Sequence, residues 1–209
     1  MGKGQSYERE ICKMLSQWWT GEEDADIFWR SVSSGGRAKT RGQQGRSSSA
    51  GHGDIIATDP IGKPLIDLLT IEIKKGYKAT HVAEIFDKPD RLNPCEFEQW
   101  LKQVTESASQ AKSYSWAIIH RRTKRNPILY MPWKMVEALK PLGVMNKPWK
   151  IFFTFHATIQ MRTEVKFKGR PKKTLVRFER HRISGVRLDE WLERVTPRLL
   201  LRLHKKVAA

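Results

Sequence analysis

Hydrophobic residues recur at helical spacing near the start of the chain, over residues 6–19 (SYEREICKMLSQWW). Ile11, Leu15 and Trp19 each follow the previous one by four positions, which places them on one face of an α-helix. Ser6 is a suitable N-cap, and glutamates in the first turn interact favourably with the helix dipole. The pattern predicts an amphipathic helix with one face against a core.

Short apolar runs predict strands along the rest of the chain, beginning with residues 27–32. Two runs, 54–59 and 65–75, flank the turn-forming segment PIGKP and predict a β-hairpin that turns near Lys63. The remaining predicted strands are 116–122, paired with 127–132, and then 149–167 and 174–183; the predicted helices are 95–112, 133–140 and one that starts at 188 and is broken or restarted at Pro197. This order predicts a mixed α/β or α+β fold.

The length of 209 residues suits one domain with a sizeable core, and 39% hydrophobic residues are typical of a globular chain. We therefore predict a single domain over residues 1–209. The segment 33–53 is rich in Gly and Ser, cannot build a core, and is interpreted as a long loop. It contains Arg37, Lys39, Arg41 and Arg46 and no acidic residue, so it could become ordered on DNA.

A large excess of basic residues narrows the class of partner. The chain has 39 Lys and Arg against 22 Asp and Glu, a formal net charge of +17. Such a charge favours a nucleic acid over a membrane surface or plain solubility, because each cation beside a phosphate releases counterions. Cys12 and Cys95 form no paired metal-binding motif, which argues against zinc and fits a reducing compartment.

The hydropathy pattern predicts neither a membrane-spanning segment nor a signal peptide. No apolar run approaches the roughly 20 residues of a membrane span, and the N-terminal sequence lacks the apolar stretch of a signal peptide. We expect a cytoplasmic protein, located in the host cytoplasm if its source is a virus.

Glu72 and Lys74 are the first candidates for phosphodiester chemistry. Hydrolysis at neutral pH calls for a divalent metal held by carboxylates and a cation near the developing charge. Residues two apart in a strand project from one face, so Glu72 and Lys74 would point together and Ile73 to the other side. An isolated E-x-K triplet is weak evidence, because it also occurs on ordinary solvated strands.

Asp54 adds a second carboxylate to this pair. In the predicted hairpin, Asp54 and Glu72 are equally far from Lys63, so folding there would place them opposite each other. Asp59 and Asp67 lie at odd spacings from them and would face the other side of the sheet. A register slip or a bulge would change this result.

Glu8 is the candidate third carboxylate. It shares a helical stripe with Ile11, Cys12 and Leu15, so it would face the interior, whereas Glu10 lies on a mostly polar face. An inward carboxylate is costly unless it is paired or binds a metal. The alternative role is an interaction with the helix dipole or a cap.

These residues carry a resemblance to a known family. The strings GQSYERE (4–10), WRS (29–31), GDIIA (53–57) and IEIKK (71–75) occur in the order and at spacings similar to those of the archaeal Holliday-junction resolvases. That family belongs to the PD-(D/E)XK nuclease superfamily. The resemblance covers roughly the first 75 residues, and it implies a restriction-endonuclease-like core with a mixed central β-sheet flanked by helices.

The resemblance also implies roles for individual residues. Glu8, Asp54 and Glu72 would bind Mg²⁺, for which Mn²⁺ could substitute, and Lys74 would position the water or stabilise the phosphorane. Arg30 would contact the scissile DNA backbone, and Ser33 or Ser34 would lie near it. The family implies a homodimer that cuts branched DNA. The remaining residues expected to contact DNA are Arg37, Lys39, Arg41, Arg46 and Lys75.

Several alternatives stay open. The 33–53 segment is longer than the family's connection and the region after residue 145 does not align, so a restriction- or repair-type nuclease acting on linear DNA is the second hypothesis. A non-catalytic basic DNA-binding protein is the third. Gln103 and Gln110 are possible accessory residues on the predicted helix. Residues 162–182 hold nine basic residues against two acids, and they predict either a DNA-contacting face or a solvated edge.

Overall fold

The fold of the chain is given by a computed structural model. The structure describes residues 3–23, 25–31, 52–76, 82–87, 94–165 and 173–208. The predicted basic loop therefore lies almost wholly outside the described residues, and with it Ser33, Ser34, Arg37, Lys39, Arg41 and Arg46.

Helices account for much of the described chain. They are α1 (Lys3–Thr20), α2 (Lys63–Leu68), α3 (Glu84–Asp87), α4 (Glu96–Ala111), α5 (Trp133–Leu139), α6 (Leu188–Arg194) and α7 (Pro197–Ala208), with 3₁₀ turns at Pro60–Gly62 and Lys140–Leu142. The N-terminal helix is confirmed, but it begins at Lys3. Ser6 therefore lies inside the helix and does not cap it, contrary to the prediction. None of the helices in the described ranges is long and apolar enough to cross a membrane.

The strands form two sheets. They are β1 (Phe28–Arg30), β2 (Ile55–Ala57), β3 (Leu69–Gly76), β4 (Ser115–Arg122), β5 (Ile128–Pro132), β6 (Phe152–Val165) and β7 (Lys173–Arg187). β1 and β2 pair with each other, and the larger sheet has the order β3-β4-β5-β7-β6. β3 and β4 run parallel, joined through α4, and the other neighbours are antiparallel. The mixed sheet flanked by helices confirms the predicted α+β architecture.

Each face of the large sheet packs against its own hydrophobic cluster. One cluster contains α1, α2, α5, α6 and α7, with Ile71 and Ile73 of β3 among its buried residues. The other is built on α4, whose Phe97 and Leu101 are buried against Ile118 of β4 and Tyr130 of β5. A side chain of β3 therefore faces one helical layer or the other according to whether its number is odd or even.

The predicted hairpin over residues 54–75 is wrong. Residues from Lys63 to Leu68 form helix α2, and β2 pairs with β1 and not with β3. Pro64 occupies the first turn of this helix, where a missing amide N–H costs nothing. The strand pair 116–122 and 127–132 is confirmed as β4 and β5, and the two later strands are confirmed as β6 and β7.

Candidate active site

Strand β3 directs Glu72 and Lys74 towards α4, as the period of two predicted. The Glu72 side chain is 2% exposed, and Lys74 Nζ lies 3.1 Å from Glu72 Oε2. Gln103 of α4 joins both residues, because its Nε2 donates to Glu72 Oε2 at 2.9 Å and its Oε1 accepts from Lys74 Nζ at 3.2 Å. Glu72, Lys74 and Gln103 thus form one hydrogen-bonded group between β3 and α4.

Asp54 is bound to the same strand, although not as the partner in a hairpin. Its backbone N–H donates to Ile71 O at 2.8 Å, and its carboxylate Oδ2 accepts from the backbone N–H of Ile73 at 2.7 Å. These two bonds lie on either side of Glu72 in the chain. Asp54 is therefore placed beside Glu72, as predicted, by contacts that the predicted hairpin does not contain.

Gly53 permits this close approach. Its φ is +88°, and a Cβ built on it would lie 2.8 Å from Ile71 O and 2.9 Å from Thr70 Cγ2. Only glycine combines a positive φ with such a short distance between two backbones. Gly53 belongs to the GDIIA string in the sequence, but the predicted hairpin assigned it no contact with the backbone of β3.

The electrostatics of Asp54 are those of a carboxylate held near a second carboxylate out of water. Burial, then the charge of Glu72 and more weakly that of Glu8, raise the pKa of Asp54 to about 7. The hydrogen bond from Ile73 and the charge of Lys74 act in the opposite direction but do not cancel this rise. A cation bound beside Asp54 would favour the ionised form of this carboxyl group.

Glu8 is placed near this pair but has a partner of its own. Glu8 Oε2 lies 3.0 Å from Arg30 Nε, and both side chains are partly buried. Arg30 is on β1, and the next residue, Ser31, donates its backbone N–H to Asp54 O at 2.8 Å. The Glu8–Arg30 ion pair thus lies on the α1 side of Asp54. Glu10 points elsewhere and binds Arg121 at 2.6 and 2.9 Å.

The donor set fits a hard divalent cation that keeps part of its hydration shell. Within the described residues, no three His, Cys, Asp or Glu side chains are grouped closely enough to hold a metal ion by themselves. Mg²⁺, however, is commonly bound by one or two carboxylates together with waters and substrate phosphate oxygens. The described hydrogen bonds to Asp54 and Glu72 reach only Oδ2 and Oε2, which leaves one oxygen of each carboxylate for such an ion.

The other predicted residues are divided by the structure. Lys75 is half-buried, with its ammonium 5.2 Å from the ring centre of Tyr7 on α1. Gln103 is part of the site, whereas Gln110 is exposed near the end of α4. Tyr114 lies beyond the end of α4 and is not on the helix that carries Gln110.

The carboxylates that the prediction excluded are indeed elsewhere, but for a different reason. Asp59 caps the 3₁₀ turn by accepting from Ile61 N at 2.8 Å. Asp67 lies on α2, where it binds Lys63 at 2.6 Å and His204 of α7 at 3.2 Å. Neither is on a strand, because Asp59 follows the end of β2 and the segment around Asp67 is helical.

Comparison with known proteins gives one match. The model of a family described as "Phage putative PDDEXK endonuclease" matches residues 1–168, which include all of the group around Asp54 and Glu72. No curated protein and no solved structure matches the chain.

Proposed function

The chain belongs to the phage PDDEXK endonuclease family, and from that premise we propose that it is a Mg²⁺-dependent endodeoxyribonuclease that prefers branched DNA. The observation that carries this proposal is the burial of Asp54 beside Glu72, with Lys74 within 3.1 Å of Glu72. Two carboxylates held together out of water and next to an ammonium suit metal-assisted hydrolysis of a phosphodiester. Mn²⁺ is expected to substitute for Mg²⁺.

The residues divide the work of the reaction. Asp54 and Glu72 would hold the cation, which when bound polarises a phosphoryl oxygen and lowers the pKa of water. Lys74 places its ammonium where negative charge develops on the phosphorus oxygens. Gln103 fixes the orientation of Glu72 and Lys74 by binding both. These four side chains hold their geometry through bonds to one strand and one helix.

Glu8 and Arg30 are assigned to the substrate side of the site. Their ion pair is only partly buried, so a DNA phosphate could take the place of the Glu8 carboxylate at Arg30. Glu8 would then be released towards Asp54 and the cation, as the third carboxylate of the site. Lys75, and the arginines and lysine of the segment 33–51, are proposed to bind the DNA backbone next to the cleaved bond.

We propose that the chain prefers branched DNA and acts as a homodimer. Both proposals rest on the resemblance of GQSYERE, WRS, GDIIA and IEIKK to the resolvases. The second candidate is a nuclease of the same superfamily that cuts linear duplex DNA. The length of the segment between β1 and β2 favours it, because a longer segment could surround an unbranched duplex.

Cleavage of a synthetic four-way junction and of a linear duplex with the same sequence tests these proposals. Both substrates would be incubated with Mg²⁺, with Mn²⁺ and with EDTA, using the wild-type chain and the variants Glu72→Gln and Glu106→Gln. Glu106 is an exposed carboxylate on α4, 3.9 Å from Lys102, so its variant controls for the loss of one negative charge.

We expect cutting that requires a divalent cation and is lost in Glu72→Gln but not in Glu106→Gln. Cutting of the junction alone would support a resolvase, and equal cutting of both substrates would favour the second candidate. Undiminished cleavage by Glu72→Gln would exclude the site. DNA binding without cutting under every metal would leave the third hypothesis, a binding protein.

A further inference from the structure

The last two strands extend beyond the rest of the sheet. β6 and β7 pair with each other from Phe152–Val186 to Val165–Lys173, whereas β5 pairs only with residues 183–187 of β7. Residues 156–165 and 173–182 therefore form a two-stranded arm, beside which the described part of the chain places no third strand. At the rise of an antiparallel strand, these ten residue pairs span about 33 Å.

The two faces of this arm differ in chemistry. On one face, Ala157 and Ile159 are buried in the cluster of α4, and Glu179 lies 3.5 Å from both Arg177 and His181. The other face, here called the outer face, is exposed. Its described side chains are His156, Thr158, Phe178, Arg180 and Arg182.

The outer face is positively charged. Of its five described side chains, Arg180 and Arg182 are basic and none is acidic, because Glu179 projects from the opposite face. Phe178 is 68% exposed, more than any other large hydrophobic residue in the described chain. Arg182 stacks on Trp133 at 3.6 Å from the ring centre, so the base of the arm is fixed to α5. The sequence from 162 to 182 carries nine basic residues and two acids.

We propose that the outer face of the arm binds the backbone of duplex DNA, with Arg180 on a phosphate and Phe178 against the groove wall. A two-stranded antiparallel ribbon fits the major groove, which is about 12 Å wide. The charge of the face matches a polyanion, and an exposed aromatic residue adds apolar contact with sugar and base edges. The proposal rests on the proposed function for its choice of DNA as the partner.

The arm acts on affinity and not on the cleavage step. Through the sheet register, Lys74 is level with His120, Ile128 and Arg187, so β7 reaches the level of the active site only at its end. Arg180 precedes Arg187 by seven residues along β7. In the sheet order β3-β4-β5-β7, three inter-strand spacings separate β7 from β3. Arg180 is therefore about 25 Å or more from Lys74, too far to touch the scissile phosphate.

The test is DNA binding by the full-length chain in EDTA, where no cleavage occurs, across a series of salt concentrations. Variants are Arg180→Gln, Arg180→Lys, Phe178→Ser and the control Arg202→Gln, which removes the same charge from an exposed position on α7. We expect Arg180→Gln to weaken binding roughly five- to tenfold near 0.1 M salt and to lower the salt slope by about one. Arg180→Lys should retain the salt slope. Phe178→Ser should weaken binding but leave the salt slope unchanged.

Unchanged binding by Arg180→Gln would overturn the proposal, as would an equal loss in Arg202→Gln, which would indicate a general charge effect. Loss of a dimer with unchanged DNA affinity would instead assign the outer face to self-association. Because the measurement needs no metal or turnover, it stands apart from the cleavage test.

Discussion

The backbone amide of Ile73 donates a 2.7 Å hydrogen bond to Oδ2 of Asp54. Ile73 directly follows Glu72, and Asp54 also donates its own amide to Ile71. One strand therefore carries one candidate metal ligand as a side chain and holds the other through its backbone. The backbone of β3 therefore places the two carboxylates beside each other.

The buried pair makes the metal-free protein sensitive to pH. The pKa of Asp54 is raised from 3.8 to about 7, so between these values the folded state binds more protons than the unfolded state. The contribution of Asp54 to the free energy of unfolding in EDTA should therefore be most favourable at low pH. It should fall as the pH rises from about 4 to 7. Chemical denaturation at several pH values would measure this fall.

Asp54→Asn provides the control for that experiment. The variant should lose cleavage, yet in EDTA at pH 8 it should be at least as stable as the wild type, because a neutral amide does not repel Glu72. Mg²⁺ should raise the Tm of the wild type and not that of the variant. A pH dependence that is identical in both proteins would show that Asp54 does not cause it.

Gln103→Leu should slow cleavage by roughly 10–100-fold, as is usual when a residue that orients a metal ligand is replaced. The substitution removes the bonds to Glu72 and Lys74 and keeps much of the side-chain volume. Gln110→Leu on the same helix is the matched control, since Gln110 is also exposed but the described bonds to Glu72 and Lys74 come from Gln103, and it should change the rate less than twofold. Single-turnover cleavage at saturating DNA measures both, and equal rates would remove Gln103 from the site.

Gly53→Ala should disturb the site through sterics. The new Cβ would lie 2.8 Å from Ile71 O, so Asp54 must move away from β3. Residue 53 also has a positive φ, which alanine adopts only with strain. We expect a loss of stability of about 1–3 kcal/mol together with slower cleavage. Gly21→Ala is the control. Gly21 has a similar φ of +79°, but a Cβ built on it would have no atom within 4 Å, so this variant should lose stability only through backbone strain. Denaturation and cleavage assays on the two variants separate strain from displacement, and normal cleavage by Gly53→Ala would contradict the expectation.

Arg30→Gln should mainly weaken substrate binding, and Glu8→Gln should mainly raise the Mg²⁺ concentration needed for cleavage. These effects follow from the proposed exchange, in which DNA takes Arg30 and Glu8 turns to the cation. Arg121→Gln breaks another ion pair of α1, the one with Glu10, and is the matched control. Titrations of DNA and of Mg²⁺ measure the two effects, and identical behaviour of all three variants would argue against the exchange.

The sequence predicted the side chains of the site better than the backbone that brings them together. Alternation within β3 correctly placed Glu72 and Lys74 on one face, and helical periodicity turned Glu8 inward. The pairing of Asp54 with Glu72 was predicted through a hairpin that does not exist. The mainly apolar segment from Leu65 to Leu68 suits a strand or a helix equally, and Pro64 can end a turn or begin a helix.

The choice between Gln103 and Gln110 could not be made from the sequence. Seven residues are almost two full helical turns, so both side chains lie on nearly the same face of α4. They differ mainly in position along the axis, by about 10 Å. Which of them is level with Glu72 depends on how α4 packs on β3, and that packing is a property of the whole core.

The position of β7 has a consequence for how the protein is made. β7 is synthesised after β6 but lies between β5 and β6 in the sheet. Until the ribosome has released residues 173–187, β6 lacks the strand that it pairs with in the described sheet, and its apolar residues Phe155 and Ile159 have only part of their cover. The nascent chain therefore carries an exposed, unpaired strand late in translation, at the stage when aggregation and chaperone binding compete with folding.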